Sequence, residues 1–186
     1  MKENLEADCM RRLQQGEADA LALLMRRHYD NLYNYGCRFT KDSRLIKDCI
    51  QEVFISLWQR RETASNILSP KYYLLRAIKN KIIKTLHKNE QLITEQIDGE
   101  YNFFYEFSIE KMIIEKQISD DKARKLKRTL SLLSKRQKEI IYLKFYQHLD
   151  HGQIAELMNL SSQSVYNLLH EAIQKLRNLW YSELAH

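Results

Sequence analysis

Glycine occurs four times and proline once in 186 residues, and that scarcity restricts the fold more than any other feature. A β-rich chain of this length needs many tight turns, and tight turns favour those two residues. Helices tolerate their absence. Apolar residues make up 44% of the chain, enough for a real core, and charged residues make up 29%, enough to solvate the surface. The expected fold class is therefore all-α, with two small helical domains joined by a linker as the best division.

Helical spacing of apolar residues sets the provisional elements. Residues 5–15 form a short polar helix that Gly16 ends, and Asp19 is available to cap the next. Leu21, Leu24, Met25, His28, Tyr29, Leu32 and Tyr33 make an amphipathic stripe to about Arg38. Asp42 or Ser43 caps a third helix whose apolar positions run from Leu45 to Trp58. Residues 61–69 lose periodicity and read as a loop. Pro70 suits the first turn of a helix reaching about Lys88, because its missing N–H costs nothing there. Residues 90–124 read as an acidic linker with a turn at Asp98-Gly99. Its aromatic group, Tyr101, Phe103, Phe104, Tyr105 and Phe107, is too apolar for a free tether and is expected to dock. Helical spacing returns near Ile109; Ser134 caps a helix over 135–147, and two more follow near 151–158 and 162–181. The expected domains are 1–89 and 125–186.

Charge is uneven along this plan. Residues 1–89 carry 17 Lys/Arg against 10 Asp/Glu, residues 90–121 carry 2 against 9, and residues 122–186 carry 11 against 5. Two basic segments flanking an acidic one suit a polyanionic partner, although an unevenly solvated surface looks the same. Cys9, Cys37 and Cys49 are odd in number and lack CxxC spacing, which points to a reducing cytoplasm. His148 and His151 have no further ligands nearby in sequence, so no metal or cofactor is expected. The N-terminus lacks the apolar core of a signal peptide, and no apolar run reaches the length of a membrane span.

The most specific motif is HGQIAELMNLSSQSVYNLLHEAIQKL, residues 151–176. A helix-turn-helix needs a small residue where its helices cross, and Ala155 fits. Its turn needs tolerance of left-handed backbone, which Asn159 has. Ile154, Met158, Leu160, Val165 and Leu168 supply a core, and Ser161 can cap the second helix. The outward face is then Ser162, Gln163, Tyr166, Asn167 and His170, polar side chains suited to base edges and phosphates. Lys135, Arg136, Lys138 and Lys144 can hold the DNA backbone.

The N-terminal half carries two further signals. In DCIQEVFISLW, residues 48–58, turning Ile50, Val53, Phe54 and Leu57 inward leaves Asp48, Gln51, Glu52 and Ile55 on one outer stripe. That stripe suits a basic helical partner, and a merely solvated face resembles it. The helix over 70–88 holds Lys71, Arg76, Lys79, Lys81, Lys84 and Lys88 with no acid, and opens on Tyr72 and Tyr73. Aromatics among cations beside a flexible loop are what unpaired nucleic acid needs. Tyr73, Leu74, Ala77, Ile78 and Ile82 serve equally as core, which leaves Tyr72, Arg76, Asn80 and the lysines as the expected DNA side.

The order of these parts resembles the extracytoplasmic-function sigma factors of the sigma-70 family over residues 16–181. The resemblance implies a region 2 over 16–88 and a region 4 over 125–181. It places Asp48, Gln51, Glu52 and Phe54, with Ile55 beside them, against the clamp helices of the largest subunit of core RNA polymerase. It makes residues 61–70, Asn66 among them, a loop that captures a flipped −10 base, with Lys71, Tyr72, Tyr73, Arg76, Lys79, Asn80 and Lys84 on the −10 strand. It gives the −35 element to Arg136, Ser161, Ser162, Gln163, Ser164, Tyr166, Asn167 and His170. Implied partners are core polymerase, through clamp helices and flap, promoter DNA and an anti-sigma factor, without membrane insertion. The strings NLSSQSVYNLLHEA and YLLRAIKNK resemble the sigma factors of Bacteroidetes. Two departures stand out: His151-Gly152 replaces the usual acidic pair, and Tyr73 replaces the usual tryptophan.

Two other classes compete. A helix-turn-helix regulator with a sensing or dimerising N-terminal domain explains 125–181 equally well but leaves the acid-free helix at 70–88 without a role. An enzyme needs a carboxylate cluster or an activated nucleophile. The sequence has no Gly-rich phosphate loop and no HExxH, so no enzyme is expected.

Overall fold

The computed structural model describes residues 2–91 and 120–182, which fall into two compact units. Every regular element among the described residues is helical.

The first unit contains α1 (Lys2–Gln14), α2 (Ala18–Gly36), α3 (Ser43–Gln59), a 3-10 turn (Arg61–Asn66) and α4 (Pro70–Gln91). Helices α2, α3 and α4 pack on one another, and α1 lies on α2 and on the 3-10 turn. Helix α2 buries Ala20, Leu24, His28, Leu32 and Tyr35, a stripe at three- and four-residue spacing. Helix α3 starts where Asp42 accepts the N–H groups of Arg44 at 2.9 Å and Leu45 at 3.0 Å. It buries Ile46, Cys49, Ile50, Val53, Phe54 and Leu57. Gly36 is needed where these helices meet: a Cβ there would stand 2.7 Å from Ile46 Cγ2 and 3.1 Å from Ile82 Cδ1.

Two local expectations for this unit are corrected. Asp19 does not cap α2; Glu17 holds the N-cap position without a side-chain bond, and Asp19 sits in the first turn, where its charge still favours the helix dipole. Residues 61–69 are not all loop. Arg61–Asn66 wind into a 3-10 turn anchored by buried Ala64, a single apolar contact too short to show as periodicity.

The second unit contains α5 (Asp120–Ser131), α6 (Lys135–Ile141) running into a π-helical turn (Tyr142–Tyr146), α7 (His151–Met158) and α8 (Ser162–Ser182). Helix α8 packs against α5, α6 and α7. Helix α5 begins inside the segment expected to be linker. Residues 92–119, with the acidic aromatic stretch, lie outside the described residues. Capping boxes open α6 and α7. Ser134 Oγ accepts from Gln137 N while Gln137 Oε1 accepts from Ser134 N, and Asp150 with Gln153 repeats the arrangement. The helix expected over 135–147 is not uniformly α. Its last turn widens, buried Gln147 donates through Nε2 to Tyr142 Oη at 2.6 Å, and His148 turns left-handed at φ 54°.

Candidate nucleic-acid interface

In the second unit the turn between α7 and α8 has the geometry its sequence demands. Asn159 is left-handed, at φ 51° and ψ 53°, and Leu160 N donates to Ala155 O at 2.9 Å, closing α7. Ser161 Oγ accepts from Ser164 N at 3.1 Å and so caps α8. Ile154, Ala155, Met158 and Val165 are buried as expected. Leu160 and Leu168 are only half-buried, and Leu169 and Ala172 complete the core with Val165 at four- and seven-residue spacing.

With that core set, Ser162, Gln163, Tyr166, Asn167 and His170 are exposed along one side of α8. Gln163 Nε2 donates to Asn167 Oδ1 at 2.9 Å. The bond spends one N–H and one lone pair, so the two amides together keep three N–H donors and three lone pairs from which to meet a base edge. The rings of Tyr166 and His170 stack with planes 12° apart. Ser164 is half-buried and its hydroxyl lies 2.9 Å from that of Ser161, so it serves the cap first. Arg136 is exposed at the start of α6.

In the first unit, Asp48, Gln51, Glu52 and Ile55 are exposed on α3, with Ile55 at 46%. On α4, Arg76, Asn80 and Lys84 are exposed, and Tyr72 and Tyr73 are partly so. Asn66, at the end of the 3-10 turn, is exposed. Lys71 is half-buried; burial lowers its pKa from the usual lysine value more than the Glu6 carboxylate raises it.

Two expected contact residues are corrected. Phe54, which the resemblance set against the clamp helices although helical spacing turned it inward, is 3% exposed and lies beneath the α3 stripe. Lys79 is 4% exposed, with Nζ 5.9 Å from the Phe39 ring centre, and is not available to phosphates. Its place on α4, one position before Asn80, turns it toward α2 and the core.

The structure also brings together residues that sequence assigned to separate surfaces. A groove of about 450 Å³ runs between α3 and α4, with Glu52, Ile55 and Gln59 on one wall and Tyr73, Asn80 and Lys84 on the other. Glu52 and Lys81 form an ion pair across it. No local pattern signals that pair, because its members belong to different helices. Leu68, which no local pattern singles out, stands 98% exposed two residues before Pro70.

Other titratable groups serve the fold. Cys9 Sγ donates to Ala20 O at 3.3 Å, and burial raises the pKa of Cys9 and Cys49, keeping both as thiols. Among the described residues no group of three potential metal ligands occurs, and no helix is long and apolar enough to cross a membrane.

Comparison with known proteins bears on both units. Residues 24–91 match the family described as Sigma-70 region 2, and residues 123–176 match Sigma-70, region 4. The curated protein "ECF RNA polymerase sigma factor SigK" of Mycobacterium ulcerans is 20% identical over 173 residues, 91% of this chain and 90% of its own. Two solved structures share the fold. CnrH in complex with the cytosolic domain of CnrY aligns at TM-score 0.54 and 17% identity, over 95% of this chain and 97% of that one. The sigma factor RpoE of Bartonella quintana, in complex with the anti-sigma factor NepR, aligns at TM-score 0.54 and 14% identity, over 87% and 94%.

Proposed function

This chain belongs to the sigma-70 family, and from that premise we propose that it is an extracytoplasmic-function sigma factor whose two units divide promoter recognition between them. The observation that carries the reading is the pairing of matched regions with exposed chemistry. The region 2 unit presents an acidic stripe on α3 beside a basic, aromatic face on α4, and the region 4 unit presents an amide and aromatic face on α8.

The mechanism is binding without catalysis. Asp48, Gln51, Glu52 and Ile55 meet core RNA polymerase. Helix α8 enters the major groove of the −35 element, where Gln163 and Asn167 read base edges and Arg136 holds a phosphate. Asn66, Tyr72, Tyr73, Arg76, Asn80 and Lys84 hold the unpaired −10 strand. Stacking on the tyrosines and phosphate contacts by Arg76 and Lys84 offset the few kcal/mol that unstacking a base costs. Tyr73 stacks less extensively than a tryptophan, so melting is weaker at equal contact. The protein works in the cytoplasm and has an anti-sigma factor as a further partner, a reading supported by its fold likeness to RpoE, which was solved in complex with the anti-sigma factor NepR. The domain division follows: region 2 through residue 89, an acidic linker, and region 4 from about residue 125.

Transcription in vitro with core polymerase and a genomic DNA library tests this reading. Discrete start sites sharing a −10 and a −35 motif are expected. Failure to associate with core polymerase under every condition reduces the protein to a duplex-binding regulator.

A further inference from the structure

The geometry points to α1 as the mount of the promoter-contacting turn, with Gln14 as a positioning residue that sets how that turn reads the −10 strand. The inference rests on the assignment of Arg61–Asn66 and the following residues to that strand. It adds a role for α1, which the region 2 match over residues 24–91 does not include.

Three observations carry it. Helix α1 packs on the 3-10 turn as well as on α2. Leu13 on α1 and Ala64 on the turn are 0% and 1% exposed. The last residue of α1, Gln14, donates through its side-chain Nε2 to the carbonyl oxygen of Glu62 at 2.8 Å, linking segments 48 residues apart in sequence. Gly16 permits this placement by turning left-handed at φ 84°, so the chain reverses into α2 directly after Gln14. The other side of the turn is held as well. The Arg61 guanidinium lies 4.9 Å from the centre of the Trp58 ring and donates to Trp58 O at 3.2 Å.

A six-residue 3-10 turn has few internal bonds of good geometry and depends on its neighbours for a fixed shape. What it displays needs that shape: exposed Asn66 ends the turn, and the 98% exposed Leu68 stands between the turn and α4. Base discrimination requires contact groups held to within about half an ångström. Releasing the Glu62 carbonyl loosens the turn on the α1 side only. The Gln14 side chain is itself exposed, so its loss leaves no cavity.

The test compares Gln14→Glu, which keeps the shape but sets a carboxylate against a carbonyl, with Gln14→Lys, which keeps a donor. Each full-length variant is assayed with core polymerase on a promoter library randomised separately at −10 and −35. Gln14→Glu is expected to lose about threefold to tenfold of base discrimination at −10, the range one hydrogen bond carries. Gln14→Lys retains it, and −35 preference and affinity for core polymerase stay unchanged in both. Unchanged −10 discrimination in Gln14→Glu, or equal weakening at both elements, overturns the proposal. Asn66→Ala with Leu68→Ala serves as the control. If that pair leaves −10 preference intact, the assignment of the turn to DNA falls, and the positioning role falls with it.

Discussion

Glu52 on α3 and Lys81 on α4 are paired across the seam of the first unit, so the acidic stripe and the basic helix are one continuous surface. Both side chains are partly solvated, and an ion pair of that kind stabilises the fold by no more than about 1 kcal/mol. The pair matters more for what it joins. A partner that takes Glu52 leaves Lys81 to other anions, and the groove that they share opens beside Tyr73 and Asn80.

Reversing charge on the α3 stripe is therefore a test of polymerase docking. Asp48→Arg with Glu52→Arg is expected to weaken association with core polymerase by at least about tenfold, since like charges brought together cost several kcal/mol. Glu52→Gln alone, which removes one charge from the stripe together with its pair to Lys81 but reverses no sign, has a smaller effect. Unchanged co-purification of the double variant refutes the stripe.

The proposed reading gives strand opening to the outer side of α4. Arg76→Ala or Asn80→Ala should reduce open-complex formation by roughly tenfold while binding to core polymerase survives, as expected for a lost contact to a charged strand. Permanganate reactivity of −10 thymines reads this directly. Lys79→Met, by contrast, changes opening little, because Lys79 is inside the fold. A large loss of opening with intact stability in that variant would return Lys79 to the DNA surface.

The amide pair on α8 predicts a change of specificity. Replacing both Gln163 and Asn167 with alanine should remove about 1–3 kcal/mol of base discrimination at the −35 element. Selection from a randomised −35 library is expected to return a degenerate motif. Recovery of the original motif assigns the reading to other residues.

Gly36 provides a test of the fold itself. Gly36→Ala places a methyl against Ile46 and Ile82, where one of three packed helices must shift. A loss of about 1–3 kcal/mol is expected from chemical denaturation, the usual cost of overpacking. Ile46→Ala removes the Cγ2 methyl that the new Cβ meets, so the losses from Gly36→Ala and Ile46→Ala should be less than additive; additive losses mean that the Ile46 contact is not the cause.

Acid sensitivity follows from His28, which is 5% exposed with Nε2 3.7 Å from Glu6 Oε1. Burial lowers its pKa below the ordinary 6.5; Glu6 opposes the shift, and Arg27 and Lys71 add to it. The unfolded chain therefore takes the proton first. Stability is fully present above the ordinary imidazole value and is lost as pH falls through it toward the lowered folded value. The thermal midpoint should fall more steeply as pH drops through the ordinary imidazole value of about 6.5 in the wild type than in His28→Gln. Equal slopes remove His28 as the cause.

Much of this protein was legible in its residues taken locally. The scarcity of Gly and Pro dictates helices, Asp42, Ser134 and Ser161 mark helix starts, and Asn159 marks the left-handed turn, because each acts within four residues of itself. The exposed face of α8 followed once its core was named. Tertiary packing alone decided the rest. A helical stripe recurs at about 100° per residue, and residues at its margin face inward or outward according to which helices flank it. That is why Lys79 is buried while Asn80 is exposed, and why Leu169 displaced Leu168 in the core. The bonds from Glu52 to Lys81 and from Gln14 to Glu62 exist only because the folded chain carries distant segments together, and no local periodicity records them.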